Sequence, residues 1–327
     1  MKGRESASAK FEEAADAIVE GDAKALTRLL QANPELIHAR SQRQHGATLL
    51  HYVAANGVEE HRQKTPKNIV EIAEILLKAG AEVDAEANLY GGGATTLGLA
   101  ATSVHPERAG VQEALLGKLL EHGASLGKKG AGNGHSLVTG CLANGREKAA
   151  KYLAERGAPL DLESAAGVGR LDVVKSYLGA DGTLKSNATR MDMQRGFLWA
   201  CEYGKNEVVE YLLDRGASLT DQAGTGETGL HWAAVGGQVA TIRLLLSRGA
   251  ALEDRNAYGG TALGQALWCV MHSEPGAEYL RTIEELLAAG AKIEEGTIES
   301  LRNASGGGEL KRRVIEAMRK ALEARRT

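Results

Sequence analysis

The stretch Glu227-Thr228-Gly229-Leu230-His231-Trp232-Ala233-Ala234, with Leu245-Leu246-Ser247-Arg248-Gly249-Ala250 following it, decides how this chain folds. The second phrase, a leucine-rich helix end closed by Gly-Ala, recurs along the chain. It reads Leu76-Leu77-Lys78-Ala79-Gly80-Ala81, Leu119-Leu120-Glu121-His122-Gly123-Ala124, Leu153-Ala154-Glu155-Arg156-Gly157-Ala158, Leu212-Leu213-Asp214-Arg215-Gly216-Ala217 and Leu286-Leu287-Ala288-Ala289-Gly290-Ala291. The glycines lie 43, 34, 59, 33 and 41 residues apart. A period near 33 with a few insertions marks a stacked helical repeat, in which each unit buries its apolar face against its neighbours.

The first phrase recurs in Ala47-Thr48-Leu49-Leu50-His51-Tyr52-Val53-Ala54. Together these residues resemble the T-P-L-H-x-A-A signature and second-helix end of ankyrin repeats, over nearly the whole chain. The resemblance implies an all-α solenoid of helix-turn-helix repeats. Each would carry a short β-turn finger and two antiparallel helices, the first lining a concave palm. The compact, tail-free chain resembles bacterial ankyrin-repeat proteins. A scaffold of this kind does not specify an activity.

Alignment of the two phrases lays out one array over residues 1–327. An N-terminal capping repeat spans 11–40, where Gly21-Asp22-Ala23 opens a second helix and Pro34 replaces the usual glycine. Seven repeats over 45–295 begin near His45, Gly91, Gly132, Asp161, Met191, Gly224 and Tyr258, and C-terminal capping helices fill 297–326. The last unit breaks at Ser305-Gly306-Gly307-Gly308 and ends in a charged helix, whose polar outer face suits a terminal repeat.

Departures from the regular spacing single out three repeats. From the second Ala, Ala234, to Gly249 there are 15 residues, but the same interval is 26 from Ala54 to Gly80, 22 from Ala101 to Gly123 and 23 from Leu267 to Gly290. The extra residues fall at 58–68, 104–110 and 271–277, and each insertion carries a Pro able to end one helix and restart another. The first two should lie side by side. The opposite anomaly is a shortened repeat at 161–180, where Gly157-Ala158-Pro159-Leu160-Asp161 runs straight into Leu162 and the finger is missing. A notch is expected there, with a protruding connection around Lys185 to Asp192. Either repeat decay or a seat for a partner segment accounts for it.

Composition narrows the function classes. The chain of 327 residues is 43% hydrophobic with a formal net charge of −3, which offers no general attraction to nucleic acid or acidic membrane. No apolar run reaches the roughly 18 residues of a membrane helix, and Met1 to Lys10 has no apolar signal core, so a soluble, cytoplasmic monomer is expected. Three cysteines without a CxxC spacing argue against a disulfide framework or a zinc site. No cofactor and no metal is expected. From Glu309 to Thr327 seven Lys or Arg face three Glu, a local basic excess that either touches phosphates or suits the C-terminal end of a solvated cap helix; the second is expected, and with no comparable basic stripe on the palm no nucleic-acid partner is expected.

Among the chemistry-bearing residues, the resemblance implies that His51 and His231 bond backbone and the neighbouring Thr. Cys141 and Cys201 replace signature alanines in tight packing, and Cys269 falls at a more variable, reachable position. Trp199 and Trp232, 33 residues apart, should pack together between repeats. Tyr203 and Trp268 follow the Ala-Ala pair at positions that the resemblance places on the palm, as it does Asn56. Aromatics exposed there are natural anchors for a partner.

Tyr90-Gly91-Gly92-Gly93 is the oddest finger. Three glycines before a helix either cradle an anion with backbone N–H groups or merely satisfy a turn of positive φ. The same end of the chain carries His61, Arg62, Lys64, His105, Glu107 and Arg108 in the long insertions. Two functions from different classes follow. The first is a protein-interaction scaffold binding an unknown partner through palm and fingers. The second is a small-molecule site for an anionic metabolite, with or without catalysis, in which Arg108 or Lys64 meets the anion and His105 moves a proton. No residue is assigned as catalytic.

Overall fold

The computed structural model describes residues 2–128, 136–272 and 278–325. The chain divides into two compact units, Met1–Leu160 and Asp161–Thr327. In the first, helix α1 (Lys2–Glu20) turns at Gly21 into α2 (Ala23–Ala32), and the Asp22 carboxylate accepts from the Ala25 N–H at 2.8 Å to start it. A 3-10 turn at Pro34–His38 closes this pair. The next repeat is a 3-10 helix, Leu49–Ala54, followed by α3 (Ile69–Lys78).

A two-stranded finger comes next. Strands β1 (Glu86–Ala87) and β2 (Ala94–Thr95) pair antiparallel with Glu86 opposite Thr95, and lead into α4 (Thr96–Thr102), α5 (Val104–Arg108) and α6 (Gln112–Glu121). The unit ends with α7 (Leu137–Ala143) and α8 (Glu147–Glu155); the repeat start near Gly132 lies outside the described residues. The first helices, α1, Leu49–Ala54, α4 and α7, pack side by side, while α2, α3, α6 and α8 form a second layer. Leu50, Ile72, Leu76, Leu97, Leu115 and Leu153 are buried in the core of this unit.

The Gly-Ala phrase has a direct physical cause. In all six copies the alanine N–H donates to the carbonyl of the first leucine, Ala81 to Leu76 at 3.0 Å and Ala250 to Leu245 at 2.9 Å among them. This is a Schellman closure, which needs a left-handed residue just before the alanine. Gly80 and Gly249 supply it at φ +98° and +90°, and nothing lies within 4 Å of where a Cβ would sit, so conformation and not space selects glycine.

The second unit starts without a finger. Asp161 accepts from the Ser164 N–H at 2.7 Å and opens α9 (Leu162–Val168) directly, followed by α10 (Leu171–Ser176). The connection expected to protrude around 185–192 does so only in part. Thr189 and Asp192 form a capping box, so its last residues are wound into α11 (Arg190–Glu202), which at 13 residues is longer than its counterparts α9 and α13 at 7 each. After α12 (Asn206–Asp214) come α13 (Gly229–Val235), α14 (Val239–Ser247), α15 (Ala262–His272), α16 (Tyr279–Ala288), α17 (Thr297–Asn303) and α18 (Gly308–Ala324).

Helices α9, α11, α13 and α15 form the first-helix layer, and α10, α12, α14 and α16 the second. Helix α18 packs on α15 and α16 through Val314, Ile315 and Met318. Arg325 then donates to the Leu287 and Ala291 carbonyls at 2.8 and 3.0 Å, closing the end of α16. Of the insertion at 271–277, residues 273–277 lie outside the described residues, as does Arg326.

Candidate functional site

The signature histidines are built into the turns. His51 Nδ1 accepts from the Thr48 N–H at 3.1 Å and from its hydroxyl at 2.8 Å, while Nε2 bonds the Ala94 carbonyl at 3.2 Å in the next finger. His231 repeats the pattern with Thr228 and the Gly260 carbonyl. Each ring therefore ties one repeat to the next. Burial lowers the His51 pKa to about 4, which keeps the ring neutral in this role.

At the glycine finger, Gly91, Gly92 and Gly93 have φ of +95°, +99° and +72°, and Tyr90, at φ +49°, joins them in the left-handed region. The Tyr90 hydroxyl donates to Asn56 Oδ1 at 2.6 Å, and Asn56 Nδ2 donates to the Leu99 carbonyl and to Thr102. Thus Asn56 and Tyr90, from two different candidate sets, meet in one bridge between a repeat and the following finger. Thr95 already accepts from the Gly98 N–H in the first turn of α4.

The insertions are anchored rather than loose. Arg62 is buried, and its guanidinium donates to Asp16 at 2.7 Å and to Glu12 at 2.5 Å, both on α1. Those carboxylates raise its pKa against the opposing effect of burial. Arg43 joins the network through Glu12 and Glu59, and Asn68 donates to the Gly21 carbonyl at 2.9 Å. The first insertion is thereby clamped to the N-terminal helix pair, with His61 and Lys64 exposed. In the second, Ser103 caps α5, Glu107 pairs with Arg146 of the next repeat, and His105 is half-buried beside it with a pKa lowered by burial and by Arg108. Arg108 itself is exposed.

The first-helix layer of the second unit carries a row of aromatics. The Trp199 and Trp232 rings lie 5.7 Å apart, as their 33-residue spacing predicts, and Tyr203 stacks on Trp199 at 6.1 Å. Trp268 is 58% exposed and stacks on His272 at 4.5 Å. In the first unit the equivalent of the tryptophans, Tyr52, is fully buried under α1 against Phe11. Trp199 and Trp232, by contrast, are half-buried.

Two carboxylates in this row escaped the sequence reading. Glu163 Oε1 accepts from the Trp199 indole N–H at 2.8 Å, and Arg195 stands 3.9 Å from its other oxygen. Glu202 is half-buried with no partner for Oε2, and burial pushes its pKa up to about 8. The Trp232 indole N–H is also buried without a partner. A readable signal existed: residues 202, 235 and 268 share one repeat position, and only the first is charged. Cys269, placed by sequence at a reachable position, is buried like Cys141 and Cys201, and burial pushes the Cys141 thiol up to about 12. Among the described residues no group of three or more His, Cys, Asp or Glu is placed to hold a metal ion, and no helix is long and apolar enough to cross a membrane.

Comparison with known proteins agrees with this geometry. A family model described as ankyrin repeats (3 copies) matches residues 162–256 and 197–295, and one described as ankyrin repeat matches 45–88, together more than half of the chain. The chain belongs to the ankyrin-repeat family. It is similar to the crystal structure of the human ASB11 ankyrin repeat domain, at 22% identity and a TM-score of 0.42, over 86% of this chain and 99% of that one. No curated protein matches it. Ankyrin repeats are generally protein–protein interaction modules.

Proposed function

We propose that this protein is an interaction scaffold that holds a protein partner on the first-helix face of its second unit. The observation that carries this reading is Trp268, 58% exposed on α15, on the same layer as the half-buried Trp199, Tyr203 and Trp232. A large aromatic left in water costs hydrophobic free energy that a partner recovers on docking, and its few rotamers limit the entropy lost. The surface needs no rearrangement, because the helices beneath it are already packed. On the same reading the protein works as a single chain, since α18 covers the apolar faces of α15 and α16 that a second copy would otherwise bury.

The test is a pull-down from native lysate, quantified by mass spectrometry, with wild type, Tyr203→Ala/Trp268→Ala and His105→Ala/Arg108→Ala. A partner retained by wild type and by the His105/Arg108 variant, but lost from the aromatic variant, supports the reading. Loss with the His105/Arg108 variant alone would move the binding surface to the first unit.

A further inference from the structure

Glu202 and Trp232 leave two polar atoms of opposite kind without partners on neighbouring helices of one layer: Glu202 Oε2, an acceptor, and the Trp232 indole N–H, a donor. An unpaired buried polar group costs about 1–3 kcal/mol, so such groups call for an explanation. The repeats contain their own control. At the position of Glu202 the two following repeats carry Val235 and Trp268, so the fold does not require a carboxyl there. At the position of Trp232 the preceding repeat carries Trp199, whose indole N–H is satisfied by Glu163. Folding accounts for neither orphan.

What surrounds Glu202 states the chemistry of a ligand. Trp199 lies one turn earlier on the same helix face, Tyr203 is the next residue and stacks on Trp199, and the Trp232 ring is 5.7 Å from that of Trp199. A half-buried carboxyl among aromatic rings suits an organic cation, which on docking displaces the carboxyl proton to solvent and then gains from the ring faces and the carboxylate together. Arg195, 3.9 Å from Glu163 beside Trp199, shows a guanidinium of this chain already drawn to that neighbourhood.

We propose that Glu202, with Trp199 and Tyr203, receives a lysine or arginine side chain of the partner. This rests on the docking reading above. It also fixes a spacing. Glu202 and Trp268 hold the same repeat position on α11 and α15, with α13 between them. Packed helices are about 8–10 Å apart, which makes roughly 20 Å between the two points. An extended peptide covers that in about six residues. The partner segment therefore carries a basic residue and, about six positions away, an apolar or aromatic residue that lies on Trp268.

The test is selection of displayed random sixteen-residue peptides on the full chain, followed by affinity measurements on synthetic copies of the enriched ones. The expected result is a Lys or Arg at a fixed position with a large apolar residue about six positions away. Replacing that basic residue by norleucine should weaken binding to wild type at least about tenfold, and the isosteric Glu202→Gln variant should show the same loss and no further loss with the norleucine peptide. Peptides lost on Trp268→Ala but indifferent both to norleucine and to Glu202→Gln would overturn the cation site while leaving the docking reading standing. No enrichment, or binding untouched by Tyr203→Ala/Trp268→Ala, would overturn both.

Discussion

At the scale of single residues, Glu202 couples stability to pH. Its pKa rises from 4.5 in the unfolded chain to about 8 in the folded one, because burial disfavours the charged carboxylate. Between those values the folded state holds a proton that the unfolded state has released, so stability falls as pH rises. Below pH 4.5 both states are protonated and the effect is absent. Glu202→Gln should therefore gain roughly 2–4 kcal/mol over wild type near pH 8, and almost nothing near pH 4. All three tryptophans, Trp199, Trp232 and Trp268, lie in the second unit. Urea unfolding followed by tryptophan fluorescence thus reads the right region, and a gain independent of pH would contradict the assignment. Glu202 was hidden in the sequence because a lone Glu near a helix end reads as a solvated charge. Its burial comes from the packing of α11 within the layer, which a single position of the sequence does not state.

At the scale of elements, legibility followed the range of the interactions. The Gly-Ala phrase could be read because a Schellman closure is local and fixes its residues within one turn. The Trp199–Trp232 contact could be read because equal repeat positions are neighbours in a stack. Arg62 could not be read in this way, since its partners Glu12 and Asp16 are 50 and 46 residues earlier and belong to a capping helix outside the repeat pattern. A basic insertion loop that looked like an anion site is, at Arg62, a clamp on α1. Arg62→Ala takes the shared cation from Asp16 and leaves Glu12 to Arg43 alone, at a cost of about 2 kcal/mol given how exposed Asp16 is. Hydrogen exchange followed by mass spectrometry should then show faster exchange in α1 and in residues 60–68, with α14 unchanged. Unaltered protection of α1 would mean that Phe11 and the other apolar contacts hold that helix unaided.

At the scale of the whole molecule, what sets the two units apart is what covers their first-helix layers. In the first unit α1 lies over Tyr52 and the layer is closed with apolar side chains and an Arg–carboxylate network. In the second, Trp199, Trp232 and Trp268 on α11, α13 and α15 remain half-buried or exposed, and the finger that would precede α9 is missing. The sequence showed the missing finger through spacing alone, but it could not show which aromatics are covered, because that depends on helix packing in each unit. Site-directed photo-crosslinking locates the docking face. A benzoylphenylalanine at Gln265, one turn before Trp268 on α15, is compared with one at Arg243, exposed on α14 in the other layer. A partner docked on the first-helix face crosslinks from position 265 and not from position 243; crosslinking from 243 alone would place it on the other layer.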